Sequence, residues 1–276
     1  GDLYHFCNDL AYKVHPYRWP TIGLSVDDIK NASHEDIKSF FAQHYAVNNL
    51  ILCVSGHIEF EKAVALTEKW FGDFAPANIP VRNLPQEPVQ TEQRFMSVKR
   101  EVPQNVLTMM YHMCGRCDAD YQVCDMLSDV LSNGMSSRFY RNVLVKSGLF
   151  TELDASVSGT YDPGLFIVRA RLADGVSFDK AKDAIDAELA DFVSNGATAY
   201  EIEKCANKYE STRLFDMITY EKKGVKLCQY ELLGDAADIN KEVGKYRCIT
   251  QDRLMNVAKN LLNPDNCSIL YYGPDA

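Results

Sequence analysis

The chain has 276 residues, a hydrophobic fraction of 46% and a formal net charge of −9 at pH 7. This length and apolar content are sufficient for one large core or two modest ones, so the sequence predicts a globular protein. The acidic balance argues against nucleic acid and against an anionic membrane surface as partners. No apolar run in the sequence approaches the roughly 20 residues of a membrane-spanning helix, so we expect no membrane partner either.

In the first 74 residues, apolar side chains recur at helical spacing over residues 3–13 and 60–71. Ser33 begins a further helix, with an acidic residue three positions later as in a capping box. The prolines of residues 15–20, HPYRWP, exclude that segment from a helix. Residues 50–55 are apolar on both faces, which predicts a strand in the interior of a sheet.

The stretch 75–92 is rich in proline and has no sustained period, which predicts an extended, semi-rigid linker. Beyond it the pattern predicts strands at 94–102, 106–113, 150–159, 165–172 and 268–272. Helical patterns separate them, the longest extending from the fourth of these strands to Leu262. Strands connected mainly as hairpins, together with these helices, predict an α+β fold built as a two-layer sandwich.

The nine cysteines are an odd number, in a chain long enough to fold without disulfide bonds. Cys53, Cys124 and Cys228 lie in apolar periodic segments, where cysteine behaves as a small hydrophobic residue. We therefore expect a reducing compartment and a cytoplasmic location.

An internal repeat is the most informative feature of the chain. Residues 33–56 align without a gap on residues 250–273, at an offset of 217. Each copy begins with a hydroxyl-bearing residue, continues as an amphipathic helix, turns at Asn49 or Asn266, and ends as an apolar strand at a glycine. Duplicated architecture of this kind indicates two homologous domains.

The offset also predicts where each domain lies. If the second domain begins near residue 93, the first would begin about 120 residues before Gly1. We therefore expect 1–74 to be the C-terminal part of a first domain, 75–92 a linker, and 93–276 a complete second domain. The first domain is expected to be truncated in this chain.

Several segments of the chain resemble landmarks of the pitrilysin or insulinase-type zinc metallopeptidases, and they occur in the family's order. They are HPYRWPTIG at 15–23, WFG at 70–72, SNGMSSRFY at 132–140, YDPGLF at 161–166, YELLG at 230–234 and NPDN at 263–266. The resemblance extends over essentially the whole chain. It implies repeated homologous α/β domains, and in the parent protein zinc-dependent endoproteolysis of peptides held in a chamber between domains.

The resemblance also implies where the zinc would be bound. The family's inverted motif, His-x-x-Glu-His, supplies two histidine ligands and the general base, and a later Glu is the third ligand. None of the six histidines of this chain lies in such a motif, and in the family the motif precedes the HPYRWP-like segment. We therefore predict no catalytic residue and no cofactor in this chain, inactivity of the chain alone, and zinc in the full-length parent.

Some family members without zinc supply an Arg and, seven residues later, a Tyr that bind substrate. Here the corresponding strand has Arg169 and Arg171, but Val176 and Phe178 follow at that spacing. This pair is therefore not assigned.

One local cluster has the chemistry of metal ligands. His112, Cys114 and Cys117 lie close in sequence, with Cys124 seven residues further on, and thiolates at Cys-x-x-Cys spacing can bind zinc. Structural zinc sites usually have four ligands, and Cys124 falls in an apolar helical pattern. Reduced structural cysteines at a strand-to-helix turn are therefore favoured, with a structural zinc site or a thiol function as the alternative.

Four further residues are candidates for contact with the substrate chamber of the parent: His15, Trp19, Arg138 and Tyr140. The competing interpretation is structural. Arg138 and Tyr140 lie at a helix start beside Gly134, where capping explains the composition, and His15 and Trp19 lie in a proline-flanked loop that could cover a domain edge.

The sequence thus predicts the non-catalytic portion of a zinc-dependent metalloendopeptidase, which forms chamber wall and domain scaffold. The alternative is a zinc-less assembly or interaction subunit of the same fold. Expected partners are a peptide substrate in the parent, the missing N-terminal part, and a second homologous half or subunit.

Overall fold

The structure is a computed structural model that describes residues 2–276. Its helices are α1 Leu3–Ala11, α2 Val26–Asn31, α3 His34–His44, α4 Phe60–Phe71, α5 Tyr121–Ser132, α6 Val145–Ser147, α7 Phe178–Asn195, α8 Ala199–Asp216, α9 Tyr220–Leu233, α10 Glu242–Arg247 and α11 Gln251–Leu261. Its strands are β1 Arg94–Lys99, β2 Val106–His112, β3 Phe150–Val157, β4 Leu165–Leu172 and β5 Cys267–Gly273. Short turns of 3₁₀ helix lie at Pro16–Arg18, Val47–Asn49, Ala236–Asn240 and Pro264–Asn266, and a π-helical turn at Phe139–Leu144. Among the described residues, no helix is long and apolar enough to cross a membrane.

The strands form one five-stranded sheet in the order β1-β5-β2-β4-β3. β5 lies in its interior, parallel to β1 and antiparallel to β2, and the β2-β4 and β3-β4 pairs are antiparallel. Both faces of β2 and β5 are buried, which explains why these two strands are almost continuously apolar. The predicted mixed helix-and-sheet fold is confirmed, and all five strands predicted beyond the linker are present.

The core lies on both faces of this sheet. On one face α5, α7 and α11 contribute to a large cluster that includes Leu127, Ile185, Leu254 and Ile269. On the other face α1 packs in a smaller cluster with residues such as Leu270. Three helices thus pack on one face of the sheet, and α1 packs on the other.

The chain divides into two compact units. Unit 1 comprises the residues up to Trp19, Gln86–Glu210 and Val243–Ala276, and it contains the whole sheet. Unit 2 comprises Pro20–Pro85 and Ser211–Glu242, and it is helical. These units describe packing, whereas the predicted boundaries at 74 and 93 describe homologous domains, and those boundaries remain a prediction.

The strand predicted at residues 50–55 is wrong for the described chain. These residues have no regular secondary structure and pair with no strand among residues 2–276. Leu50, Leu52 and Val54 are exposed. The apolar pattern is that of an interior strand, but a strand also requires neighbours to which its backbone can hydrogen-bond, and the described residues supply none here.

Candidate functional site

His15 lies in the interior of unit 1, at the start of the turn Pro16–Arg18. Its Nδ1 accepts a hydrogen bond of 3.2 Å from the backbone N–H of Tyr17, and its Nε2 lies 3.7 Å from Oδ2 of Asp162. The ring is buried and packs edge-on against Tyr17. Pro16 restricts the backbone of the turn that follows His15. Both ring nitrogens of His15 lie against polar groups of the protein. Trp19, by contrast, is exposed.

The buried carboxylate of Glu87 connects this loop to β1, since its Oε1 lies 4.0 Å from Nη1 of Arg94. Glu87 accepts hydrogen bonds of 2.7 to 3.0 Å from the backbone N–H groups of Lys13, Val14 and His15. Burial alone would raise the pKa of Glu87, but these three hydrogen bonds outweigh it, and its pKa is below the usual value. Glu87 therefore satisfies backbone donors where α1 ends, which is a structural task.

His112 ends β2 beneath the same loop. Its Nε2 lies 2.9 Å from the carbonyl oxygen of Ala11, and its ring packs edge-on against Tyr12. Burial lowers the pKa of His112, although the contact with Ala11 opposes the shift. The ring nitrogen that a metal would need is thus directed at a backbone carbonyl.

The cysteines between β2 and α5 differ in burial and in their contacts. Cys124 is buried, Cys114 is half-buried and Cys117 is exposed. The thiol of Cys124 donates to Cys114, which lowers the pKa of Cys114 and raises that of Cys124. Among residues 2–276, no group of three or more His, Cys, Asp and Glu side chains is arranged to hold a metal ion. Cys114 and Cys124 are therefore brought together, but residues 2–276 place no third ligand beside them.

Arg138 is held inside the protein by the ends of two helices. Its Nε donates to Oε1 of Glu201 at 2.8 Å and its Nη2 to Oε2 of the same carboxylate at 3.0 Å. Nη2 also donates to the carbonyl oxygen of Gly196 at 2.6 Å. These are the contacts of a bridge between the C-terminus of α7 and the N-terminus of α8.

Glu201 is the second half of this bridge. Burial alone would raise its pKa, but hydrogen bonds from Arg138 and from Thr198 lower the pKa to about 2. The carboxylate is therefore ionised at neutral pH and its charge is compensated. Tyr140, two residues after Arg138, is half-buried in the π-helical turn.

Sequence reasoning did not predict two features of the surface. One is a polar cavity of about 340 Å³ in unit 1, lined by residues of α5 and β3. Asp129 lines it, and burial raises the pKa of Asp129 to about 6 against a hydrogen bond from Asn133. The serine and aspartate residues on one face of α5 could have indicated this cavity, but a polar helix face of this kind is usually exposed to solvent.

The other is an open cleft of about 680 Å³ in unit 2, between residues 49–55 and α9. Its lining is mainly apolar and includes Ile51, Cys53, Val225 and Leu232. Segments so far apart in sequence cannot be placed together from periodicity alone.

A family model described as the peptidase M16 inactive domain matches residues 31–209. The chain belongs to the peptidase M16 family. The zinc protease PqqE of Helicobacter pylori is 27% identical over 209 residues, which are 74% of this chain and 46% of that protein. This relationship confirms the resemblance to zinc metallopeptidases.

Solved structures share the fold of this chain. A protease from Helicobacter pylori has a TM-score of 0.88 at 22% identity, over 99% of this chain and 66% of that one. The first half of the periplasmic protease PqqL from Escherichia coli has a TM-score of 0.79 at 16% identity, over 98% of this chain and 61% of that one. The M16 chain thus spans about half to two thirds of the length of these relatives.

Proposed function

We propose that this M16 chain is the non-catalytic portion of a zinc-dependent metalloendopeptidase, in which it forms chamber wall and domain scaffold. The match to the inactive M16 domain is the observation that supports this function most directly. We infer zinc binding and proteolysis from the names of relatives such as the zinc protease PqqE, and the proposal assigns both to the full-length parent.

The candidate residues support a scaffold. His15 and Arg138 are buried and engaged by Asp162 and Glu201, so neither side chain faces an open surface. His112 is directed at a backbone carbonyl. A reducing, cytoplasmic location remains a prediction.

The test is a cleavage assay on the purified chain with an unstructured fluorogenic peptide, with and without EDTA. We expect no chelator-sensitive cleavage and no stoichiometric zinc by metal analysis, with the full-length Helicobacter pylori PqqE as the positive control. Chelator-sensitive cleavage by the 276-residue chain would refute the proposal. Stoichiometric zinc without cleavage would instead favour the metal site at Cys114 and Cys117.

A zinc-less assembly subunit of the same fold is the second candidate, and the exposed apolar side chains of unit 2 favour it. The two functions differ in the parent gene. A His-x-x-Glu-His motif upstream of residue 1 supports the peptidase, and an upstream sequence without one supports the assembly subunit.

A further inference from the structure

Two free cysteines meet in the open cleft of unit 2. Cys53 lies in the irregular segment 50–55, and Cys228 lies on α9, far along the chain. Both side chains are half-buried, and both line the cleft of about 680 Å³. Because the cleft is open, small molecules in the solvent have access to this pair of thiols.

The two thiols contact each other where the segment 50–55 approaches α9 most closely. The thiol of Cys53 donates a hydrogen bond to the sulfur of Cys228. The Sγ of Cys228 lies 4.0 Å from the carbonyl oxygen of Ile51. One helical turn before Cys228, a Cβ built on Gly224 would lie 3.6 Å from the Sγ of Cys53. The missing side chain of Gly224 thus leaves room for Cys53 beside the helix.

This arrangement suits a disulfide bond. The two sulfurs of a disulfide lie about 2 Å apart, and thiols that already share a hydrogen bond need only a small movement to reach that distance. Residues 50–55 have no regular secondary structure and pair with no strand among residues 2–276. No ladder of backbone hydrogen bonds therefore opposes the movement of Cys53.

The contact between Cys114 and Cys124 is different in two respects. Cys124 is 2% exposed and belongs to the large core of unit 1, so a solvent oxidant does not reach it. Both residues also lie near the connection from β2 to α5, so a bond between them would join neighbouring parts of one segment. The pair in unit 2 is accessible and joins segments that are distant in sequence.

We propose that Cys53 and Cys228 are a redox-sensitive pair. Hydrogen peroxide converts the two thiols into a disulfide bond that ties residues 50–55 to α9, and a dithiol reductant opens this bond again. The proposal goes beyond the proposed function and does not rest on it.

The reaction has two steps. Burial and the neighbouring sulfur of Cys228 raise the pKa of Cys53, which leaves Cys228 to react first. The thiolate of Cys228 attacks one oxygen of the peroxide, the O–O bond breaks, and sulfenic acid and hydroxide form. The sulfur of Cys53 then attacks the sulfenic sulfur, the S–O bond breaks, and the proton of Cys53 leaves with the hydroxide as water. Two thiols lose two electrons in total, and one peroxide becomes two waters.

The disulfide would stabilise the less buried part of the molecule. It joins the two segments that make up unit 2, Pro20–Pro85 and Ser211–Glu242. A bond between residues far apart in sequence restricts the unfolded chain more than a bond between near ones. Most large apolar side chains of unit 2 are exposed, so packing contributes little to holding these two segments together. Oxidation is therefore expected to protect unit 2 from local unfolding.

The test is oxidation of the reduced 276-residue chain by stoichiometric hydrogen peroxide. Remaining thiols are alkylated, and the monomeric fraction is mapped by mass spectrometry. We expect a peptide pair linked through Cys53 and Cys228 that dithiothreitol separates. Amides of residues 51–55 and of α9 should exchange at least about tenfold more slowly in the oxidised chain, and those of α11 should be unchanged.

Three outcomes would overturn the proposal. One is the absence of the linked peptide pair. Another is a disulfide between Cys114 and Cys124 in its place. The third is a linked pair that leaves hydrogen exchange in unit 2 unchanged.

Two variants and a control separate this chemistry from a packing role. Cys53→Ser and Cys228→Ser change half-buried side chains little in size, so both should fold normally by circular dichroism, and neither should be protected by peroxide. In Cys53→Ser, dimedone should label Cys228 as a trapped sulfenic acid. The control is Cys248→Ser, at an exposed cysteine of unit 1, and it should keep the full response. Protection that persists in Cys53→Ser, no dimedone label on Cys228, or loss of protection in the control would contradict the assignment.

Discussion

At the scale of single residues, the bridge from Arg138 to Glu201 is the strongest candidate for a large effect on stability. Replacing Arg138 by Ala leaves the carboxylate of Glu201 buried without its cation, and removing one partner of a buried pair costs about 3 to 5 kcal/mol. We expect Arg138→Ala to lower the free energy of unfolding by that amount in urea denaturation. The control is Arg171→Ala, since Arg171 pairs with Glu152 on the exposed surface of β4 and β3, where a pair contributes about 0 to 1 kcal/mol. Equal losses in the two variants would contradict the assignment.

Asp129 gives a prediction for pH dependence. Its pKa in the folded chain is about 6, above the ordinary value of 3.8, so the folded state binds the proton more tightly than the unfolded state. Its contribution to the free energy of unfolding therefore increases as the pH falls from 7 to 4. Asp125 raises this pKa further, whereas Asn133, Lys208 and Lys204 lower it.

Asp129→Asn removes the charge that is costly at neutral pH, and an amide oxygen can still accept from Asn133. We expect the variant to be more stable than the wild type at pH 7 by roughly 1 to 2 kcal/mol, and the difference to vanish near pH 4. The measurement is thermal denaturation across this range of pH. A stability difference that does not change with pH would refute the role of the buried charge.

At the scale of elements, Gly115 determines how β2 connects to α5. A Cβ at this position would lie 2.4 Å from the carbonyl oxygen of Tyr161 and 3.0 Å from the carbonyl carbon of Asp162. Both are backbone atoms, so the turn must move, and we expect Gly115→Ala to cost about 1 to 3 kcal/mol by denaturant unfolding.

Gly244→Ala is the matched control. Gly244 lies in the short helix α10, where an added Cβ would meet open space, so alanine should stabilise the chain by roughly 0.5 to 1 kcal/mol. If Gly115→Ala destabilises the chain and Gly244→Ala stabilises it, the loss at Gly115 comes from the close approach of the added Cβ to the backbone of Tyr161. A loss at both positions would point to a general intolerance of alanine.

The elements that the sequence pattern predicts correctly are those determined by local information. Periodicity predicts the strands of the sheet, and the capping box predicts the helix that follows Ser33. Both signals are contained within a few neighbouring residues of the sequence. Residues 50–55 have the same apolar pattern as β5 and yet form no strand. Pairing is a property of the neighbours, and periodicity does not reveal whether neighbours are present.

The same limit applies to the candidate site. The composition around Arg138 indicates a helix end, but its partner Glu201 lies 63 residues further on and could not be chosen from several acids nearby. Cys114 and Cys117 show the spacing of a metal site, but the burial of Cys124 and the exposure of Cys117 depend on how α5 packs. Motif spacing therefore predicts chemistry that is possible, and packing determines what is present.

At the scale of the whole molecule, the two units differ sharply in how much apolar surface they bury. Nearly all of the buried apolar side chains lie in unit 1. Among the apolar side chains described for unit 2, Ala46 and Tyr230 are buried. Since burial of apolar surface is the main favourable term in folding, unit 2 has little stability of its own.

This difference in burial predicts that unit 2 unfolds locally while unit 1 stays folded. Amides of Pro20–Pro85 and Ser211–Glu242 should exchange at least about tenfold faster than those of the sheet, a difference of about 1.4 kcal/mol or more in opening free energy. Hydrogen exchange followed by mass spectrometry measures both regions in one sample. Equal protection of helix α3 and its counterpart α11 would contradict the prediction, because the two helices have the same bounds within the repeat and differ in burial. Slow exchange in α11 with fast exchange in α3 would show that the stability of this element comes from its packing and not from its own sequence.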